Sequence, residues 1–402
     1  MTAETATATL QPIDPVELTR DLIRRPSVTP ADAGAMDTLE RVLTGLGFTC
    51  RRMAFEGPGG QGAEARIENL YARRGTASPN LCFAGHTDVV PTGAAEGWSS
   101  DPFAAEVRDG VLYGRGAVDM KGGVAAWVAA VSKVLSEGEV EGSRLGGSLS
   151  FLITGDEEGP ALHGTKRVVE TLMAEGETID ACVVGEPSSQ QHLGDMIKIG
   201  RRGSLNTWIT VHGKQGHVAY PDRAANPAPA LVRLLAELDA HVLDTGYEAF
   251  QPSNLEITTI DIGNPATNVI PAEAKARLNI RFNPGHTGDG LIAWLNAEAG
   301  RVQAETGLQI SLEHMCSGEA FLTRAGAFVT SVQDAVEAET GRRPEASTTG
   351  GTSDARFIRA MAPVLELGLV GQTMHQFDER VPVAELEALT RVYERVIRAV
   401  LG

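Results

Sequence analysis

His86, Asp88, Asp119, Glu157, Glu158 and Glu186 are the residues of this chain best suited to act together in chemistry. His86 and Asp88 close the run Leu81-Cys-Phe-Ala-Gly-His-Thr-Asp88. Glu157 and Glu158 follow a second apolar run in Thr154-Gly-Asp-Glu-Glu-Gly159, and Glu186 follows a third in Val183-Val-Gly-Glu-Pro187. Each run reads as a buried strand that delivers polar side chains to the carboxyl edge of an open α/β sheet, where ligands bind. Imidazole and carboxylates without cysteine make an N/O site for a hard-to-borderline divalent ion. Asp119 lies in a Gly-rich turn just before a helix and would, alone, read as an N-cap carboxylate. In the company of the other residues it reads as a ligand. Glu157 and Glu158 are neighbours, so on an extended strand end they would point apart. One can then be a ligand and the other a general base toward a metal-activated water.

The elements that must position these groups alternate along the chain. Asp14-Pro15-Val16-Glu17 is a helix start with an N-cap and Pro at N1, and a second helix covers 35–45. Strands are expected at 48–54, 67–73, 80–85, 148–154 and 180–185, with helices at 121–136 and 163–174. This βα alternation predicts an α/β three-layer sandwich with a mostly parallel central sheet. After Gly200 the texture changes. Leu205, Thr207, Ile209 and Val211 alternate with polar and exposed positions, as a half-buried strand does. A helix at 227–242, strands at 254–262 and 273–282, a helix at 288–304 and a strand at 307–315 complete a ferredoxin-like α+β unit. A helix at 324–339, a strand at 363–369 and a helix at 383–400 resume the first texture. The expected organisation is therefore a catalytic domain of residues 1–202 and 317–402 interrupted by an inserted domain of residues 203–316.

Composition fits an enzyme of ordinary solubility. The 402 residues are 42% hydrophobic and 22% charged, and the length favours two domains. A formal charge of −17 argues against nucleic acid and against anionic membrane surfaces. No apolar run approaches the roughly 18 residues needed to span a bilayer. The N-terminus lacks the basic and apolar regions of a signal peptide and reads as a frayed tail. The scattered Cys50, Cys82, Cys182 and Cys316 read as free thiols of a reducing compartment, with the cytoplasm as the expected location.

Further motifs carry a resemblance. They are Gly85-His-Thr-Asp-Val-Val-Pro91, Trp98-x-x-Asp-Pro-Phe103, Tyr113-Gly-Arg-Gly-Ala117, Thr154-Gly-Asp-Glu-Glu-Gly159, Gly200-Arg-Arg-Gly-Ser204, Gln215-Gly-His-Val-Ala-Tyr-Pro221 and Gly350-Gly-Thr-Ser-Asp354. Together, in this order, they resemble the co-catalytic dizinc metallopeptidase family that includes aminoacylases and glutamate carboxypeptidases. The resemblance implies two zinc ions per subunit, one of them replaceable by cobalt. It gives one ion to His86, Asp119 and Glu186 and the other to Asp119, Glu158 and His375, with Asp119 as the bridge. Three carboxylates and a hydroxide balance two divalent cations. Asp88 would orient the His86 ring from behind, and a cis peptide is expected after Asp119. The wording around His375, Gln376-Phe377-Asp378, departs somewhat from the family's.

The same resemblance places Arg201, Ser204, Tyr220, Asn268, Arg281, Gly351 and Thr352 around the substrate. Arginine forks suit carboxylates. The inserted domain would join two subunits into a homodimer, with His217 and Asn268 from one reaching the site of the other, and His217 steadying the oxyanion. The remaining His163, His192, His212, His241, His286 and His314 read as packing or surface groups. The implied activity is hydrolysis of the amide of a small, multiply charged N-acyl amino acid. The arginines favour a dicarboxylic acyl group over the acetyl group of related aminoacylases. A catalytically silent binding relative is disfavoured by the intact Glu157 and ligand set.

Overall fold

The computed structural model describes residues 10–141 and 145–402, so the N-terminal tail lies outside the described residues. The chain divides into two compact units. One comprises 1–199, 323–347 and 353–402, and the other comprises 200–322 with 348–352.

The first unit is built on an eight-stranded sheet. Its order is Thr49–Phe55, Ile67–Arg74, Ser148–Thr154, Asn80–His86, Ala181–Val184, Val364–Glu366, Met196–Lys198 and Glu345–Ser347. From Ser148–Thr154 to Val364–Glu366 the strands run parallel. Pairing is antiparallel at the Thr49–Phe55 edge and between Val364–Glu366 and Met196–Lys198. Asn80–His86 and Ser148–Thr154 are buried at every position, as strands of a sheet covered on both faces must be. Helices Ala35–Gly45 and Thr165–Ala174 pack against Ile67–Arg74, and Lys121–Glu141 and Val383–Leu401 against Asn80–His86. This is the expected α/β sandwich.

Lys121–Glu141 outruns its expected end at 136, and Val124, Trp127 and Val131 in it are wholly buried. The Trp127 ring stacks on Phe83 at 4.9 Å and meets the Tyr393 ring edge-on at 4.8 Å. Burial of each such side chain stabilises by about 1.5–3 kcal/mol. At Asp14 the cap forms as expected, with its Oδ1 accepting from Val16 N at 2.7 Å and Glu17 N at 3.3 Å. All four cysteines are free, Cys82 and Cys182 in the core.

Sequence periodicity misses a small three-stranded sheet of Glu106–Arg108, Val111–Tyr113 and Arg380–Pro382. Three-residue strands are too short to show a period, and the third comes from the far end of the chain. This sheet brings the segment after His375 beside the turn that carries Asp119.

The second unit has a four-stranded antiparallel sheet ordered Asn254–Asp261, Glu273–Phe282, Gly203–His212 and Gln309–Gly318. Helices Ala228–Ala240 and Gly288–Thr306 complete the strand-helix-strand-strand-helix-strand order of a ferredoxin-like fold. Leu205, Ile209, Val211, Leu278 and Ile280 pack with Leu231, Leu234 and Leu295 of the helices. The unit begins at Gly200 and ends at Leu322, where the sequence places the cuts near 202 and 317. The difference has a cause in pairing, because Gly200–Arg201 is hydrogen-bonded to Phe321–Leu322. Residues 348–352 join this unit, with Thr348 Oγ1 donating to Ala249 O at 2.5 Å. No described helix is long and apolar enough to cross a membrane.

Candidate metal centre

His86 ends its strand with its ring buried. Its Nε2 lies 3.2 Å from Asp119 Oδ1 and 3.8 Å from Glu186 Oε1. On the other side of Asp119, His375 Nε2 lies 3.2 Å from Oδ2 and 2.7 Å from Glu158 Oε1. One carboxylate thus has an imidazole on each oxygen, which is the geometry of a bridging ligand. His86, Asp119 and Glu158 place ligand atoms within 4.8 Å of one another, as do His86, Glu157 and Glu186.

Each residue reaches this place for a local reason. Asp119 precedes helix Lys121–Glu141 through a cis peptide to Met120. That helix starts close against the turn leading to Glu186. A Cβ at Gly123 would lie 2.6 Å from Gly185 O, so only glycine permits the approach. His375 sits at φ 62° in a loop pinned by the residues that follow it. Phe377 packs edge-on to Trp98 at 6.2 Å, and Asp378 Oδ1 accepts from Ser99 N at 2.8 Å.

Two expectations need correction. Glu157 and Glu158 are not on an extended strand end. The strand stops at Thr154, and residues 155–159 bend. The bend is held by Asp88, whose Oδ1 accepts from Glu157 N at 3.2 Å and whose Oδ2 accepts from Glu158 N at 3.0 Å. Nor does the Asp88 carboxylate orient the His86 ring most closely. Nδ1 donates to the Asp88 backbone carbonyl at 2.8 Å, with the carboxylate 3.7 Å away. The residue still ties the imidazole to the two glutamates, through different atoms from those expected.

The electrostatics favour added positive charge. Burial, reinforced by Asp354, Glu158 and Asp119, holds the Glu157 carboxyl well above its usual range. Burial and then Asp119 do the same to Glu186. Burial alone would raise Asp119, but its hydrogen bonds with His375 and His86 hold it below the ordinary carboxylate range. The hydrogen bonds to Asp119 and Glu158 push His375 up to about 10. The cluster concentrates more buried carboxylate than its two imidazoles offset, and divalent cations meet that demand. The donor set of imidazole and carboxylate oxygen therefore fits zinc-like ions.

The residues expected around the substrate all lie in the second unit and form three groups there. Arg201 is buried and its Nη1 donates to Thr349 O at 3.0 Å. Gly350, at φ 107°, leaves room for that guanidinium where a Cβ would collide, and Gly351 and Thr352 follow. Ser204 is buried opposite Arg281 in register and accepts from Asn279 Nδ2 at 3.1 Å. Arg281 is half-buried, and among the described residues its guanidinium has no hydrogen-bond or ion-pair partner. Burial, then the neighbouring Arg202, lowers its pKa, so an anion there would be welcome. His217 and Tyr220 stand with ring centroids 5.7 Å apart, exposed, and the Asn268 carbonyl accepts from Val218 N at 3.1 Å.

Sequence reasoning assigned no role to Arg115 or Glu379. Both are buried and paired at 2.8 Å. Arg115 falls inside the motif Tyr113-Gly-Arg-Gly-Ala117, where a charge within a glycine-rich turn is the available signal, whereas Glu379 follows Gln376-Phe377-Asp378 among other charges and carries none.

Comparison with known proteins agrees with the cluster at the sheet's edge, which defines a metal-dependent hydrolase. Residues 82–399 match the profile of peptidase family M20/M25/M40, and the chain belongs to that family. It is 64% identical over 388 residues to the succinyl-diaminopimelate desuccinylase of Caulobacter vibrioides, covering 96% of each chain. With the enzyme of the same name from Phenylobacterium zucineum it shares 62% over 385 residues, 96% of this chain and 98% of that one. Among solved structures, aminopeptidase PepT from Bacillus cereus superimposes with a TM-score of 0.75 at 19% identity, over 98% of this chain and 100% of that one. The YXEP protein of Bacillus subtilis, described as a dinuclear metal binding peptidase of the M20 family, gives 0.66 at 16% identity, over 96% and 97%. These structural likenesses establish the fold.

Proposed function

We propose that this chain hydrolyses the amide of N-succinyl-L,L-2,6-diaminopimelate, releasing succinate and L,L-2,6-diaminopimelate. The observation that carries a two-ion hydrolytic centre is the Asp119 carboxylate, with His86 on one oxygen and His375 on the other. The substrate choice rests on the desuccinylases that match along nearly the whole chain.

In this reading His86, Asp119 and Glu186 would hold one zinc ion, and Asp119, Glu158 and His375 would hold the second. Zinc held there would supply Lewis acidity for the amide carbonyl and for the attacking water. Glu157 takes the proton of the attacking water on its carboxylate and passes it to the leaving amine nitrogen. Asp88 fixes the peptide of Glu157, so the carboxylate approaches from one direction. Arg281, Arg201 and Ser204 bind the free carboxylate of the acyl group, with Tyr220, Gly351 and Thr352 lining it. The chain works in the cytoplasm as a homodimer, in which His217 and Asn268 of each subunit serve the site of the other. A panel of succinyl- and acetyl-amino acids assayed with added zinc tests the reading. Turnover should be highest with N-succinyl-diaminopimelate. A preference for acetylornithine would assign the protein to the deacetylases instead.

A further inference from the structure

We infer that Glu379 is a positioning residue for the metal centre. It sets the spacing between Asp119 and His375 and so controls affinity for the ion those two residues would share. The inference rests on the two-ion reading above.

Glu379 is completely buried, and both of its oxygens are engaged. Oε1 accepts from the backbone N–H of Val118 at 2.9 Å and of Asp119 itself at 3.1 Å. Oε2 accepts from Arg115 Nη1 at 2.8 Å. The Glu379 carbonyl accepts from Gly114 N at 2.9 Å, and the next residues, Arg380–Pro382, pair with Val111–Tyr113. One residue therefore grips both ends of the turn 114–119 from within the loop that carries His375.

Arg115 completes the clamp. Its Nη1 also donates to Gln376 O at 3.2 Å, its Nη2 to Pro91 O at 3.4 Å, and its guanidinium lies 5.2 Å from the Trp98 ring centre. Gln376 is the residue after His375. The pair thus joins the turn before Asp119, the loop of His375 and the segment after His86. A purely structural ion pair would not need the N–H of the ligand residue itself. Outer groups that orient metal ligands tune affinity by 10–100-fold.

Glu379→Gln tests this because an amide has one accepting end. Facing Arg115, its NH2 meets donors, and facing Val118 and Asp119 it meets donors again. The full chain, stripped of metal by a chelator, is titrated with zinc against a chromophoric competitor. Wild type should take two ions. The variant should bind one ion within about threefold of wild type and the other about 10–100-fold more weakly. Arg115→Lys, which keeps a charge but loses the planar fork, should weaken the same ion by a smaller factor and remains informative if the Gln variant does not fold. Two wild-type affinities in a folded variant, or equal weakening of both ions, overturn the inference. A wild-type protein that takes up no second ion overturns the two-ion reading and this inference with it.

Discussion

His375 Nε2 stands 3.2 Å from Asp119 Oδ2, although the two residues come from segments of the first unit that the second unit separates in sequence. His375 is half-exposed and Asp119 is buried, so the imidazole closes the cluster from its open side. His375→Ala should therefore leave the fold intact and remove one ion selectively. Thermal unfolding of the metal-free variant should match metal-free wild type within a few degrees, while metal analysis finds about one ion per chain. Retention of two tightly bound ions would contradict its role as a ligand.

Glu157 and Glu158 should separate cleanly in function. Glu157→Ala is expected to lower kcat by several orders of magnitude while zinc affinity stays near wild type, because its carboxylate moves a proton. Glu158→Ala should instead weaken one zinc site. Near-normal turnover in Glu157→Ala would remove it as the base.

The placement of Asp88 yields a different ordering. Its carboxylate accepts the N–H groups of both glutamates, whereas its carbonyl receives the imidazole. Asp88→Asn preserves the carbonyl and disturbs the bend, since its NH2 would face a backbone donor. We expect kcat to fall more than the affinity of the ion held by His86. The reverse ordering, measured by zinc titration beside kinetics, would return the ring-orienting role to the carboxylate.

Acid sensitivity of the second unit should depend on Asp244. Burial would raise its pKa, but hydrogen bonds from Ser253, Gly246 and Asn283 outweigh burial and hold it below the usual value. A carboxyl with a depressed folded pKa contributes stability above its unfolded value, near about 4, and loses it as pH falls through the folded value. Wild type should thus be more stable than Asp244→Asn at pH 6, and the gap should shrink on acidification to about pH 3. Denaturation midpoints at the two pH values decide it, and a gap that widens in acid would refute the assignment.

The shared-site proposal predicts complementation. Glu157→Ala and His217→Ala subunits, each inactive as a homodimer, should regain part of the activity when mixed, because one site of the mixed dimer carries neither defect. Losing one oxyanion donor costs about 3–4 kcal/mol of transition-state stabilisation, so recovery should be easy to see. Verified mixed dimers without recovery, or a fully active monomer, would sink the proposal.

Much of the centre was legible in the chain itself, and the reason is local. A buried strand shows as an apolar run, and the polar residue that ends it must emerge at the sheet's edge, which places His86 and marks Glu186 without any tertiary knowledge. The alternation of Leu205, Ile209 and Val211 likewise announces a strand with one covered face, and the helix start at Asp14 is written in four residues. What the chain could not reveal depends on partners far along it. Asp88 holds the glutamates through its carboxylate because the chain bends after Thr154, and nothing in Gly155-Asp-Glu-Glu158 distinguishes a bend from a continuing strand. The ends of the second unit follow the pairing of Gly200–Arg201 with Phe321–Leu322, a match between residues with no sequence relation. Glu379 and Arg115 gain meaning only when three short strands bring them together, since a buried charge is intelligible only with its partner in place. Local periodicity determined which residues stand at the edge, and tertiary structure decided which atoms of them meet.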